Sequence, residues 1–534
     1  VSHDGEAIFG AQVLAAMEAQ AFVEGDVDRL LDVGLSVIPK TSTIYRMIGD
    51  IRGWNAADRD WMKTFRRIDE RYGYDTYRGN CHIVPNHGVI VLGLLAGGGD
   101  FQRTLMIVNS CGLDTDCNSG NAGCLMGIKV GLAGINAGPD WRGPVADRLY
   151  VPTADGGRSV TDAVRETYHI ANTGLALAGR PAIHPKDGAQ FHFELPGSVQ
   201  GFRVDPAIES RGTAVLENVS GHSRTGSRSL AVRYHGLASG RTARVSSATF
   251  IPPEAVDMAG YGLMASPTLF PTQRLRAEIQ ADGSNRAPVR CCLYVSVYGE
   301  KDRLELIRSP VTRLAPGRGE EIHWTVPSTG GRPIAEVGAE ISGDGGAEGA
   351  VYLDYLRWTG TPSLELGRTP DGGTMWKRAW VNGADRHESY SEAFRIIQNE
   401  GRGLVMQGTR DWTDYRVSAD ITVCLARSAG IAARVQGMRR FYALVLDRGG
   451  TARLIRSLEG DTVLGEIPFP WEQGSTHRFE LEVQGTVLRA SVDGKELPPA
   501  TDDGSPLVGG AIAFVCEEGW LSSNSIRVET VAEG

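Results

Sequence analysis

The chain of 534 residues is too long to bury around one ordinary core, so about three domains are expected. Hydrophobic residues make up 41% and charged residues 22%, and no apolar run approaches the ~18 to 20 residues that span a bilayer, so no membrane span is expected. A net charge of −9 without any lysine- or arginine-rich block argues against nucleic-acid binding, which needs a concentrated basic face.

Residues 5 to 180 carry the apolar period of helices. Asp4 is placed to cap a helix through Ala7, Ile8, Ala11, Leu14 and Met17, and Asp26 to cap another that Pro39 ends. Further helices are predicted over 42–54, 56–72, 88–95, 100–109 and 160–178, with no strand among them. The stretch 82–87 reads as a loop before a helix. There Asn86 and His87 offer hydrogen-bonding groups for a substrate, while His82 reads as turn chemistry around Pro85.

The stretch 109–135, NSCGLDTDCNSGNAGCLMGIKVGLAGI, organises the rest of this region. Gly120, Gly123, Gly127, Gly131 and Gly134 recur at steps of three and four, which places them on one helical face. A helix tolerates so many glycines where another backbone lies close, so this helix is expected to be central and buried. Asp114 as N-cap and Asp116 in the first turn could converge, and such oxygen ligands suit Mg²⁺ or Ca²⁺ rather than zinc. The plainer reading has Asp114 cap the helix and Asp116 complement its dipole.

Gly112, Asp114, Thr115 and Asp116, followed by Gly123 and Gly127, resemble the last signature of the ADP-ribosylglycohydrolase family, and the preceding VPNHGVIVLGLLAGGGDFQRTLMIVNS resembles its approach. Ser2-His3-Asp4 and the helix after it resemble a more N-terminal family block, Thr-His-x-x-Pro with a small-residue helix. The resemblance covers roughly residues 1 to 180. It implies an all-α fold, usually with two Mg²⁺ ions in a complete site, and hydrolysis of the bond joining ribose C1″ to a side chain or another ribose. Asp114 and Asp116 would then be metal ligands. His3, Asn86, His87 and Thr115 would bind substrate.

The chain departs from the family pattern at Cys117, where a hydroxyl residue is common, and at Leu113, where a glycine is. The family's Gly-Asp-x-x-Gly and Thr-Asp-Asp segments, which supply the remaining ligands, do not precede Asp114; Thr501-Asp502-Asp503 is the sole Thr-Asp-Asp, in a turn near the far end. The helical domain is therefore expected to be N-terminally incomplete, completed by a separate or removed N-terminal segment. No catalytic acid or base is named.

Near 180–188 the apolar period changes from 3.6 to 2. Strands are predicted over 191–195, 213–218, 229–234, 275–279, 291–298, 322–326, 336–341 and 351–358, the spacing of a β-sandwich. The pieces 223–230 and 351–358 resemble opening and closing strands of galactose-binding-like jelly rolls. A Gly-, Thr- and Pro-rich stretch leads to a second β region with an Asp493-Gly494 hairpin turn, which resembles a concanavalin- or laminin-G-like sandwich. Most of the ten tryptophans lie in these β regions, and Trp376, Trp380, Trp412, Trp471 and Trp520 are candidates for stacking on sugars or for core packing.

Among the eight cysteines, Cys81, Cys111, Cys117 and Cys124 read as small buried thiols, and Cys424 and Cys516 as a candidate pair across two sheets. The expected organisation is a helical domain over 1–182, a galactose-binding-like sandwich over 183–360 and a concanavalin-like sandwich over 361–534. Its expected function is Mg²⁺-dependent hydrolysis of an ADP-ribosyl or other saccharide substrate, with glycan-binding accessory domains and a secreted or cell-surface location. The alternative is a non-catalytic glycan-binding protein with a remnant helical domain.

Overall fold

The computed structural model describes residues 3–151, 155–257 and 262–531, so Ser2 of the first matched block lies outside the described residues. The chain divides into two compact units at Pro144 and Val145.

The first unit is helical: α1 (Gly5–Ala21), α2 (Val27–Ser36), α3 (Thr43–Asp58), α4 (Trp61–Tyr72), α5 (Ile83–Ala96), α6 (Phe101–Ser110) and α7 (Thr115–Ile135). Asp26, Ser42, Asp60 and Asp100 accept hydrogen bonds from first-turn amides, which satisfies donors that a helix start leaves free. Asp4 makes no such bond at α1. Glu6 reaches across instead, accepting from Thr43 N at 2.8 Å and Ile44 N at 2.9 Å, so that α1 closes the start of α3.

The central helix is α5, not α7. Residues 84 to 94 of α5 are buried on every side, as an all-round apolar sequence requires. In α7 only Asn118, Ala122, Leu125 and Met126 are buried, and a Cβ added at Gly120 or Gly131 would meet open space. The glycine stripe permits close packing without supplying an attractive surface, and here no backbone occupies it. At Gly131 the backbone leaves helical geometry at φ 63°. Close approaches lie at other glycines: a Cβ at Gly93 of α5 would overlap Val108 of α6, one at Gly34 of α2 would stand 2.8 Å from Val13, and one at Gly10 of α1 would stand 3.1 Å from Ile83 and 3.4 Å from His87 Nδ1.

His87 is thus sealed in the seam between α1 and α5. It has no exposed surface, and neither ring nitrogen has a hydrogen-bond partner. Burial alone pushes its pKa down to about 4, so the ring is neutral at pH 7.

The second unit starts with a two-stranded ladder, Arg148–Tyr150 with Val160–Asp162, before α8 (Ala163–Leu177), which Asp162 caps. The predicted helix over 160–178 therefore loses its first turn to a strand, and strand structure does interrupt the helical series. Two sheets follow. One runs Gly319–Thr325, Arg274–Ala281, Ala347–Thr359, Arg228–Leu237, Ala214–Ser220; the other has Val289–Tyr298, Ile334–Ser342 and Ala243–Ala248 at its centre. Their inward residues, among them Leu230, Ile279, Leu293, Val337 and Leu353, interdigitate as one sandwich core.

The remaining strands form a second sandwich whose ladder is continuous. The long strand Ala511–Ser523 pairs with Ser428–Gly437 through its first half and with Tyr415–Cys424 near its end, which carries the sheet round its core. Trp376, Trp380 and Trp412 are buried in this core; Trp471 donates to Asp447 O at 2.9 Å, and Trp520 lies 5.0 Å from the Arg395 guanidinium. All eight cysteines are free. The Cys424–Cys516 pairing does not form, because Cys424 stands opposite Trp520 and Cys516 opposite Ala429.

Arg434 ties the loops at one end of this sandwich. It is 2% exposed and donates to Thr413 O at 3.0 Å, Gly485 O at 2.7 Å, Leu507 O at 2.8 Å and Asp414 Oδ1 at 3.0 Å. The guanidinium fork matches three carbonyls and a carboxylate that no shorter side chain could reach together.

Two outcomes follow. Arg434→Met leaves the buried Leu507 carbonyl without its partner while Thr413, Asp414 and Gly485 can turn to water, and is expected to cost about 1–3 kcal/mol in the urea transition of the β unit; a change below about 0.5 kcal/mol would show the loops hold without it. For His87 the folded pKa lies below the unfolded value, so the unfolded chain takes the proton first. Stability of the helical unit is therefore complete above pH ~6.5 and falls as pH drops towards 4, by roughly 3 kcal/mol. Urea melts followed by helical circular dichroism should show that His87→Leu lacks this part of the slope.

Candidate functional site

The approach to α7 runs through left-handed backbone at Gly112 (φ 71°) and Leu113 (φ 62°). Glycine adopts that conformation freely, whereas a leucine there costs about 1–2 kcal/mol. The Leu113 side chain packs against the helical core, which offsets part of that cost.

This turn delivers Asp114 to the N-cap position and Asp116 to the first turn of α7. Asp114 does not cap: its side chain makes no bond to the helix start. It turns to its neighbours instead, and the ligand atoms of Asp114, Asp116 and Cys117 lie within 4.8 Å of one another. Asp116 titrates below the usual carboxylate range, through its hydrogen bond with Asp114 and then through backbone N–H groups at the helix start.

Two thiols share this corner. Its hydrogen bond to Asp114 pushes the Cys117 thiol up to about 11. Desolvation raises Cys81, and the hydrogen bond to Asp114 adds to it. Both sulfurs thus keep their protons at pH 7 and donate to the Asp114 carboxylate. Cys81, Cys117 and Cys124 are exposed, and only Cys111 of the four helical-unit cysteines is buried as expected.

Asn86 holds the corner in place. Its Oδ1 accepts from Asp114 N at 3.1 Å and from Asn118 Nδ2 at 2.9 Å, while its Nδ2 donates to Tyr74 Oη at 2.8 Å and to His82 O at 2.9 Å. The amide is buried with every group engaged, so it fastens α7 to α5. The stretch 82–87 is not a loop: α5 begins at Ile83, with His82 as its N-cap accepting from Val84 N.

The expected site residues therefore fall into three places. Asp114, Thr115 and Asp116 stand together at the start of α7, with Thr115 half-buried. Asn86 lies beneath them and His87 is sealed in the α1–α5 seam. His3 lines an open hollow of about 1100 Å³ with Glu6, Tyr77, Cys81 and His82. Cys81 lines the hollow and also bonds Asp114, so one side chain links the hollow to the carboxylates. Sequence reading missed Cys81, Tyr74 and Asn118. Asn118, four residues after Asp114, carried a weak signal as a same-face neighbour; the other two had none.

The donor chemistry fits one hard cation at Asp114 and Asp116 and does not fit two. Mg²⁺ takes one or two carboxylates with waters, whereas protonated thiols are poor partners for it. Among the described residues no other group of three His, Cys, Asp or Glu side chains converges in this way. Thr501-Asp502-Asp503 is structural: Asp502 is buried and accepts from Tyr442 Oη and Arg456 Nη1, both at 2.7 Å.

Residues 1–172 match the family model of ADP-ribosylglycohydrolase. No curated protein matches the chain significantly. Among solved structures, the carbohydrate-binding module CBM66 from Bacillus subtilis is similar at 14% identity and a TM-score of 0.26, covering 28% of this chain and 95% of that one. The CBM22-1–CBM22-2 tandem domain of Paenibacillus barcinonensis Xyn10C is similar at 10% identity and 0.23, covering 64% and 96%. The two sandwiches themselves rest on the sheets described above. The chain thus matches the ADP-ribosylglycohydrolase family model over residues 1–172, and two β-sandwich regions follow.

Proposed function

We propose that the helical segment forms the metal-binding part of a Mg²⁺-dependent hydrolase that cleaves a ribosyl or other glycosidic bond, and that the sandwiches over 183–360 and 361–534 bind glycan and hold the enzyme on its substrate. The observation that carries this reading is the convergence of Asp114 and Asp116 beside Cys81, which lines an open hollow, in a segment matching a hydrolase family. Asp114 and Asp116 would hold one Mg²⁺, which when bound supplies charge stabilisation and a polarised water for an oxocarbenium-like reaction.

This chain's own residues do the positioning. Asn86 fixes the Asp114 backbone, and the Cys81 and Cys117 thiols keep a proton each against its carboxylate. Thr115 and His3 offer polar groups to sugar hydroxyls. Asn86 and His87 are buried, so neither side chain is placed to touch substrate, contrary to the expectation from the sequence. Ligands for a second ion would come from another polypeptide segment, because the described cluster ends at these donors. A saccharide substrate and sugar-binding sandwiches suit a secreted or cell-surface location.

The second reading is a non-catalytic glycan-binding protein whose helical segment is a scaffold. The thiols favour it, since they occupy Asp114 with hydrogen bonds that a metal would have to displace.

Titration calorimetry with MgCl2 separates the two. One saturable site is expected, lost in the Asp114→Ala, Asp116→Ala double variant and tightened several-fold in Cys117→Ser, where a hydroxyl replaces the thiol. Hydrolysis of an ADP-ribosyl or aryl-glycoside substrate should follow the same order. Absence of Mg²⁺ binding in both the natural chain and Cys117→Ser would rule out the hydrolase reading for this chain and leave the glycan-binding one.

A further inference from the structure

The first sandwich contains a second cluster of charge, where the segments 223–230 and 351–358 meet Lys186 and Glu194. Lys186 has a side chain that is 1% exposed, and its Nζ points into a shell of oxygens. It donates to Arg228 O at 2.6 Å, Asp354 O at 2.7 Å and Asp354 Oδ1 at 2.5 Å, and Glu194 Oε1 stands at 3.1 Å. An ammonium has three protons to give, and here four oxygens converge on it.

The shell is itself held from outside. Asp354 Oδ2 accepts from Arg224 N at 2.8 Å and from the Thr225 hydroxyl at 3.3 Å. Glu194 accepts from Ser227 N at 3.0 Å, the Ser227 hydroxyl at 2.6 Å and Arg228 N at 3.2 Å. A Cβ at Gly226 would lie 2.7 Å from Lys186 Cε, so the loop closes over the lysine stem with no room to spare. Lys186 and Asp187 both take left-handed backbone, at φ 48° and 56°. The chain is bent to bring this one cation to the cage.

Two carboxylates, two backbone carbonyls and distances of 2.5 to 2.7 Å for three of four contacts describe the donor set of a hard divalent ion. One ammonium against two carboxylates leaves the cage a negative charge in excess; a divalent ion would balance it. We infer that this cage is a calcium-type site that the chain fills with its own ammonium, and that it takes Ca²⁺ once the Lys186 side chain is cut back to alanine. Asp354, Glu194, Arg228 O and Asp354 O are the protein ligands, and waters in the space of the missing stem complete the shell. In the natural chain the site is closed to metal, and the loop 221–228 is fastened over the sheet without one.

The test uses the full chain carrying Asp114→Ala and Asp116→Ala, so that the helical carboxylates contribute no binding. In this background Lys186→Ala is expected to bind one Ca²⁺ with a Kd of about 0.1–1 mM by titration calorimetry, within the range of calcium sites in extracellular modules. Its thermal midpoint should fall in EDTA and return with CaCl2, while the parent melts identically in both. Lys186→Met, which fills the stem without the charge, should lose stability and ignore calcium. An alanine variant that behaves alike in CaCl2 and EDTA, whether folded in both or insoluble in both, overturns the inference. Equal rescue of the methionine variant does so too, because the ion would then act elsewhere.

Discussion

The buried carboxamide of Asn86 is the contact on which the helical site depends. It closes four hydrogen bonds at once, two of them to α7 and two to the chain around α5. Because α5 is packed on all sides, a group fixed to it inherits the rigidity of the core. The start of α7, whose outer face carries few packed residues, would otherwise have little to set its orientation. Asp114 is then free to turn its carboxylate outward, since its own N–H is already satisfied by Asn86 and its side chain is not needed for capping.

The second unit uses the same device with cations in place of an amide. Lys186 and Arg434 each bring a single positive group to backbone carbonyls and a carboxylate, one in each sandwich; those of Lys186 belong to the strands Arg228–Leu237 and Ala347–Thr359, those of Arg434 to loops. Loops joining the ends of sandwiches carry backbone oxygens that no ladder satisfies. One long basic side chain reaching inward satisfies several of them and fixes the loops relative to each other. Losing such a cation costs more than its net contribution when present wherever an acceptor stays buried, as Asp354 does beside Lys186 and Leu507 beside Arg434.

The two units differ in how their polar groups relate to function. In the β unit the buried ions Lys186, Arg434 and Asp502 are each paired with protein groups. In the helical unit the carboxylates of Asp114 and Asp116 meet each other, two thiols and backbone N–H groups of the helix start, with no cation in an ion pair with them among the described residues. A like-charged pair left without a cationic partner is a place where a ligand has something to contribute. That contrast supports reading chemistry at α7 and architecture in the cages.

Much of this was legible in the sequence. The change of apolar period near residue 180, the capping residue at Asp26, the helix beginning near residue 100 and the Asp114-Thr115-Asp116 motif are local features, and local backbone geometry follows from them. What the sequence could not decide was which surfaces meet. The glycine stripe of α7 and the apolar run of α5 are both compatible with a central helix, and only the packing of the neighbouring helices chose α5. The roles of Cys81, Asn118 and Lys186 rest on contacts with groups far along the chain, such as Lys186 with Asp354. Periodicity fixes which face of an element is apolar; the pairing of faces and the meeting of side chains across them are decided by the fold as a whole.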